Sequence, residues 1–532
     1  MTNSPSREST GRHAFLVGAG ILLTRVIGLA RNYVFAHYFG LRNPAADAFN
    51  ASFRIPNLLQ TLFGEGVLSA SFIPVYSRLL AEKDEEEAGR VAGAVLAMLA
   101  LTVSLVVLGG VLAAPYLIEL IAAGFHGATR DLAIRLARIL FLGAGCLVLS
   151  AWCLGILNSH RKFFLSYTAP VAWNLVMIAC LIVFGRRSAD LSSLAVKLAW
   201  ASVAGSALQF TVQLPAVLRL ARRLRVRLDL ASAHARDVAR NFIPVFFSRG
   251  VVQISAYVDL WLASWLPTGA VTGLANAQLL YTLPVSLFGM SVSAAELPAM
   301  SSAVGDHREV AEHLQTRLNR GLRQIAFFIV PSAMAFLALG DVITGALFQS
   351  GRFTHTDSVY VWGILAGSAV GLLASTMGRL YSSTYYALRD TRTPLRYALA
   401  RVTLTTALGY LAAIPLPVWI GIDRKWGVAG LTASAGVAGW VEFTLLRRSL
   451  NLRIGRTGLP VPLVAKLWTA AAAGAAVAWG VKLALGRLHP VVAGIAILIP
   501  YGCVYFAAAY LLRVEECAHV FRRVLRINPS SL

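Results

Sequence analysis

Charge is scarce in this chain of 532 residues: 14% of the side chains are charged, against about 25% in soluble globular proteins. That scarcity excludes a soluble enzyme and a disordered chain. Cysteine is also rare, with five residues at 146, 153, 180, 503 and 517. An odd number without ligand spacing excludes a disulfide framework or a thiolate metal site, and these read as small residues packed between helices. No GxSxG, HExxH, paired CxxC or Walker pattern occurs, and the ten histidines are scattered. The longest polar stretch is about 20 residues, too short for an ATPase domain. Work done by this chain must draw on an ion gradient, the membrane potential or a substrate gradient.

What is present is apolar: 57% of the residues, gathered into runs of about 20 or more, the length that spans a bilayer as helix. The short alternating runs of a transmembrane β-barrel are not found. The expected fold class is an all-α integral membrane protein with about fourteen transmembrane helices. Spans are predicted near 14–39, 47–77, 91–122, 131–157, 166–185, 193–218, 240–265, 272–302, 322–339, 357–387, 395–416, 427–446, 462–485 and 491–512. The first is too long, and too charged by Arg25 and Arg31, for a cleaved signal peptide.

The net charge of +23 would suggest a nucleic-acid partner in a soluble protein, but its placement argues otherwise. With the N-terminus inside, the cytoplasmic segments hold 30 Lys and Arg and the outer ones 8. This bias predicts both termini on the cytoplasmic side, and no nucleic-acid partner. The basic run 219–227 then reads as a linker facing anionic lipid.

Two stretches share a pattern. Arg25, the LFG at 62–64, Pro74 and Pro170 recur as Arg249, the LFG at 287–289, Pro298 and Pro394, at offsets of 224 or 225. That interval holds six predicted spans, an even number, so both copies enter the membrane from the same side. The predicted organisation is a cytoplasmic N-terminus (1–13), an N-lobe (14–220), a basic linker (221–239), a C-lobe (240–450), a terminal helix pair (460–512) and a cytoplasmic tail (513–532). Two lobes around a midplane cleft suit alternating access.

A charge at mid-bilayer costs about 2.5–3.5 kcal/mol on insertion scales, so an intramembrane charge is a functional candidate. The first lobe carries Arg25, Arg31, Asp47, Arg54 and Glu65; the second carries Arg249, Asp259, Glu296 and Arg379. Arg25 and Arg31 are six residues apart and point about 120° apart on a straight helix, so both can face water only if the cleft is wide or the helix bends, which Gly28 between them allows. Internal pairs such as Arg54 with Glu65, or Arg25 with Asp47, are the structural alternative. The first two spans hold three Arg and two acids, which leaves one cation over. A planar guanidinium in a cleft suits a phosphate, whose oxygens it binds two at a time.

The segment DAFNASFRIPNLLQTLFGEGVLSASFIPVYS (47–77), preceded by TRVIGLAR (24–31), resembles the MurJ (MviN) family of lipid II flippases. LFQSGRFT (347–354), YALRDTRTP (386–394) and VAGL (428–431) extend the likeness over nearly the whole chain. The resemblance implies the two-lobed fold of the multidrug/oligosaccharidyl-lipid/polysaccharide exporters. It implies transport of undecaprenyl-diphosphate-linked disaccharide-pentapeptide to the outer leaflet, with lipid II, membrane lipids and the peptidoglycan synthesis machinery as partners. It matches Arg25 and Arg31 to cavity arginines, Asp47 to the acid opening the second span, and Glu65 to the acid of an F-x-E-G motif. The terminal pair resembles helices that form a lipid-tail groove.

The chain also departs from the family pattern. Asn32 stands where members often have Asp, and Gln60 and Leu279 stand where they have Arg. Arg249 is an addition, expected to replace the charge lost at Leu279. Asp259 matches an acid that binds sodium in some members; the partners would be Thr405, Gly409 and Ser434, and Gly409 offers no side-chain oxygen, so the site is partial. No cofactor is expected beyond sodium or proton coupling. The alternative function is export of another polyprenyl-linked saccharide or of an amphipathic drug.

Overall fold

The computed structural model describes residues 7–65, 67–228, 233–302, 306–486 and 488–518; the side chains of 7–19, 21, 64, 65, 67, 69, 70, 233, 235, 239, 243–255 and 307 are not part of that description. All regular structure among the described residues is helical. The chain divides into two compact units, Met1–Gly269 with Ser350–Arg352, and Ala270–Gln349 with Phe353–Leu532. The helix covering the predicted span 240–265 groups with the first unit.

The first unit holds α1 (Arg7–Phe39), α2 (Pro44–Leu59), α3 (Val67–Ala81), α4 (Glu85–Ile121), α5 (Gly127–Ser159), α6 (Phe163–Gly185), α7 (Leu191–Leu220) and α8 (Ala233–Ser264). Local chemistry sets several of these boundaries. Asn43 caps α2 through its side chain, which accepts from the Ala45 amide at 2.8 Å, and Pro44 takes the first helical turn, where its missing N–H costs nothing. Asp84 and Asp190 cap α4 and α7 in the same way.

The basic linker does not begin as a free strand. Gly89 and Gly93, one turn apart on α4, leave room for the backbone of residues 223–226: a Cβ on Gly93 would stand 1.9 Å from the Arg225 carbonyl oxygen. Glu86 then reaches Arg223 and Arg225 at 3.8 and 3.4 Å. Their side chains are still mostly exposed, so their charge is left to the surface.

The second unit holds α9 (Ala270–Pro284), α10 (Ser291–Ser301), α11 (His307–Ala338), α12 (Gly340–Phe348), α13 (His355–Ala387), α14 (Arg392–Ala413), α15 (Pro415–Trp419), α16 (Gly427–Ile454), α17 (Val461–Ala484) and α18 (Pro490–Leu511). Small residues bring its helices together: a Cβ on Gly371 of α13 would stand 2.3 Å from the Gly436 Cα of α16. In the YALRDTRTP motif, Asp390 accepts from the Arg392 and Thr393 amides and the Thr393 hydroxyl, and pairs with Arg453 at 2.8 Å. These donors, the Thr393 amide and hydroxyl first, hold its carboxyl down at a pKa of about 2. This motif residue therefore starts a helix.

Both LFG triplets lie in π-helical turns, Gln60–Glu65 after α2 and Val285–Met290 after α9. Each turn leads into a helix, α3 or α10, that carries the repeated proline, Pro74 or Pro298. The sequence offset thus marks a repeated helix–π–helix device, a geometry that is rare and concentrated at functional sites.

Eleven of the described helices, some of them continuous through a π turn or a short break, are long and apolar enough to cross a membrane. The other three predicted spans fall on α1, on α2 with α3 through a π turn, and on α8, all of them helical. α1 runs unbroken through Gly28.

The terminal pair α17–α18 is fixed to α11 by backbone capture. Pro331 inside α11 cannot donate to the Phe327 carbonyl one turn earlier, and the Tyr505 hydroxyl of α18 donates to that carbonyl instead, at 2.5 Å. One turn along α18, Tyr501 donates to the Pro331 carbonyl at 2.6 Å, and Trp479 of α17 donates to Ala338 at the end of α11 at 2.9 Å. Lys482 with Asp341, and Arg323 with Glu515 and Glu516, add ion pairs. Tyr505→Phe should therefore strand a buried carbonyl and destabilise the chain by about 1–3 kcal/mol, readable as a lowered Tm of the purified protein in nanodiscs. An unchanged Tm would mean that the hydroxyl does not replace the missing helical bond.

Candidate functional site

The candidate residues of the first unit fall into three separate settings. Arg31 lies on α1 with its guanidinium carbon 5.2 Å from the Phe53 ring centre and 5.8 Å from that of Trp173. Those two rings are stacked, 5.5 Å apart and 14° from parallel. Phe53 comes from α2 and Trp173 from α6, and both are buried. Trp173 is itself fixed: its indole N–H donates to the Ser202 carbonyl and hydroxyl at 3.1 Å, and its backbone packs where a Cβ on Gly205 would stand 2.9 Å from its carbonyl oxygen. Further rings, Phe49 on Phe53 and Phe35 on Phe49, continue the aromatic wall.

The one hydrogen bond described for the Arg31 guanidinium goes to the neutral Asn32 side chain, at 3.1 Å. Ring faces attract a cation without neutralising it, and an amide carries no charge. Arg31 is thus oriented and desolvated while keeping its full positive charge. A carboxylate at position 32 would have taken part of that charge. Arg25, six residues earlier, is exposed on α1, and open space lies beside Gly28 between them. Neither arginine forms an ion pair among the described residues.

Arg54 has a different role. Its guanidinium donates to the Ala256 carbonyl of α8 at 2.8 Å and interacts electrostatically with Asp259 on the same helix. Tyr257 returns a bond from its hydroxyl to the Arg54 carbonyl at 3.2 Å. Arg54 therefore ties α2 to α8. The acid it meets is Asp259; the side chain of Glu65, in the π turn, lies outside the described residues.

Asp47 is 4% exposed, in the first turn of α2, and accepts from the Gly269 amide at 2.7 Å. Gly269 has a φ of +97°, and a Cβ there would crowd Leu41 and Arg42, so only glycine suits the turn that Asp47 holds. Asp47 is a backbone pin at the end of α2, seven residues or about 10 Å along the helix from Arg54.

Arg249 lies within α8, but its side chain is outside the described residues. In the second unit Thr405 and Ser434 are buried, and the Ser434 hydroxyl donates to the Leu431 carbonyl at 2.7 Å. Among the described residues no group of three His, Cys, Asp or Glu could hold a metal ion.

Sequence reasoning missed Phe53, Trp173 and Ser202, because an aromatic and a serine in an apolar span look like ordinary core. Trp173→Leu should keep most of the volume and lose the ring face. We expect it to weaken diphosphate binding several-fold in wild-type protein and to have little further effect in an Arg31→Ala background. Equal losses in both backgrounds would mean that the indole acts independently of Arg31.

The chain matches the family model described as lipid II flippase MurJ over residues 35–499. It is 30% identical over 449 residues to the lipid II flippase MurJ of Burkholderia cenocepacia, covering 83% of this chain and 84% of that one. It is 29% identical over 455 residues to a probable lipid II flippase MurJ of Rhizobium meliloti, covering 85% and 82%. Among solved structures, a lipid II flippase MurJ in an inward closed conformation superposes with a TM-score of 0.75 at 23% identity, covering 96% of this chain and 100% of that one. A multidrug resistance MATE family transporter of the MOP superfamily, in an inward-facing conformation, gives 0.62 at 18%, covering 81% and 95%. An all-helical chain with many membrane-crossing helices, a cation held on aromatic faces in its first helix, and this likeness across most of its length belongs to the lipid II flippase MurJ family, whose members are named as transporters rather than enzymes.

Proposed function

We propose that this chain moves lipid II, the undecaprenyl-diphosphate-linked disaccharide-pentapeptide, from the cytoplasmic to the outer leaflet of the bacterial inner membrane by alternating access. Arg25 and Arg31 receive the diphosphate in an arginine-lined cavity. The observation that carries the reading is Arg31: a guanidinium held by two rings and an amide, with its charge uncompensated, fits an anion. Asp47 and Arg54 support the reading indirectly, by holding α2 and its Phe53 in place.

Fourteen spans with both termini inside, arranged as two six-helix lobes and a terminal pair, belong to the same proposal. The repeated π turns and the 30-to-8 bias of basic residues support it. So do the lipid-tail groove assigned to α17–α18 and docking of the synthesis machinery, which rest on the family likeness. Sodium or proton coupling through Asp259 is included, with Thr405 and Ser434 as hydroxyl partners. Gln60 and Leu279, at positions where the family carries arginine, favour a second reading in which another polyprenyl-linked saccharide is carried.

The deciding experiment depletes a cell of its own flippase and supplies this chain. Growth rescue with lipid II appearing at the outer leaflet supports the first reading. Rescue failure by a chain that is present in the membrane, together with outward movement of a different lipid-linked saccharide, supports the second.

A further inference from the structure

The second unit holds a cluster of charge that the Arg25–Arg31 site does not use. Ser375 and Arg379 lie one turn apart on α13 and so share a face, about 6 Å apart. The Ser375 hydroxyl meets the Tyr281 hydroxyl of α9 at 2.6 Å. From α14, Arg401 pairs with Glu442 of α16 at 3.1 Å. Arg379 and Arg401 both act electrostatically on the Tyr281 phenol, so the two guanidinium groups lie within electrostatic reach of it.

Depth agrees with this grouping. Arg379 is eight residues before the end of α13 and Arg401 nine after the start of α14, so both stand about 12–14 Å from the connection that joins these consecutive helices. All four helices contribute to segments apolar and long enough to cross a membrane. Two arginines against one glutamate leave one positive charge over. Arg401 has its carboxylate; the Arg379 guanidinium is exposed and has no ion pair or hydrogen bond among the described residues. A cation kept at such depth without an internal acid is expensive unless it meets water or an anion. One hydrogen of the Tyr281–Ser375 pair is used between them, and the other goes from Ser375 to the Leu372 carbonyl at 3.3 Å, a long bond that can be exchanged for a phosphate oxygen.

We propose that Arg379, Arg401, Tyr281 and Ser375 form a second lipid-phosphate subsite, in which Arg379 supplies the charge and the hydroxyl pair supplies a donor. This rests on the flippase reading and deepens it: the chain stands without arginine at Gln60 and Leu279, and this cluster gives the second unit a cationic site of its own. Leu279 is two residues from Tyr281 on α9, so the charge is supplied by neighbouring helices rather than by α9 itself. The phosphate comes either from the transported polyprenyl diphosphate or from a bilayer phospholipid.

The test uses the full chain in nanodiscs, with undecaprenyl diphosphate and undecaprenol as paired probes, and retained phosphatidylglycerol read by native mass spectrometry. Arg379→Gln is expected to weaken undecaprenyl diphosphate binding about tenfold, to leave undecaprenol binding unchanged, and to be partly restored by Arg379→Lys. If diphosphate binding holds but retained phosphatidylglycerol falls, the subsite stands and its phosphate is the bilayer's. If neither changes in a variant of wild-type Tm, the subsite is wrong. Arg31→Gln, measured in parallel, separates the two ideas: a loss of diphosphate binding with Arg31→Gln, together with unchanged diphosphate binding and unchanged phosphatidylglycerol in Arg379→Gln, removes the subsite and keeps the flippase reading. Tight undecaprenol binding with no preference for the diphosphate in the wild type removes both.

Discussion

Arg31→Ala should abolish rescue of flippase-depleted cells and weaken diphosphate binding about ten- to a hundredfold, the loss of one charged hydrogen bond worth about 1.5–3 kcal/mol. The size follows from the setting of the side chain. Because Phe53 and Trp173 hold the guanidinium without neutralising it, no internal partner gains when an anion arrives and none is stranded when the arginine goes. The same variant should therefore keep a Tm close to that of the wild type. Arg31→Lys should recover little, since an ammonium lacks the planar fork that lies on the rings and grips two oxygens. Full rescue by Arg31→Ala would remove this residue from the substrate site.

Arg54→Leu should act in the opposite sense, on stability before binding. Arg54 links α2 to α8 through the Ala256 carbonyl and the Asp259 charge. Removing one partner of a buried pair leaves the other charge without compensation, at a cost of about 3–5 kcal/mol. The purified variant should lose a large part of its Tm. The double variant Arg54→Leu with Asp259→Leu should regain much of it, because no buried charge is then left over. If Arg54 serves as a substrate ligand and nothing more, Arg54→Leu will leave the Tm unchanged and reduce binding alone; that result would overturn the structural assignment. Arg25→Ala, on an exposed side chain, should weaken diphosphate binding as Arg31→Ala does and keep a Tm close to that of the wild type; full rescue by it would remove Arg25 from the substrate site.

The contrast between these two arginines shows what a sequence can carry. Both stand in apolar spans, and both look equally costly there. The cost is legible from composition, because hydrocarbon penalises any charge. The means of meeting it is not. Arg54 meets its partners about 200 residues away, at a separation set by the path of five intervening helices. Arg31 is met by rings from α2 and α6 that no periodicity distinguishes from core. Asp47 stands at a span end, where the sequence leaves burial open; its partner is a backbone amide 222 residues on, in a turn that only a glycine with positive φ can make.

The sequence by itself determined that the chain is helical and crosses a membrane, since runs of about 20 apolar residues have no other way to satisfy their backbone groups in lipid. It also marked a repeated helix–π–helix element, because the LFG triplets and prolines keep their order at offsets of 224 or 225, and both triplets lie in π turns. Only the tertiary structure decided which charges meet a partner inside the protein, as Asp47 and Arg54 do. Pairing depends on distance, and distance in a bundle is fixed by which helices lie side by side. The Tyr505 bond to the carbonyl that Pro331 orphans is the plainest case: the proline is visible in the sequence, but the donor that replaces its missing N–H comes from a helix more than 170 residues away.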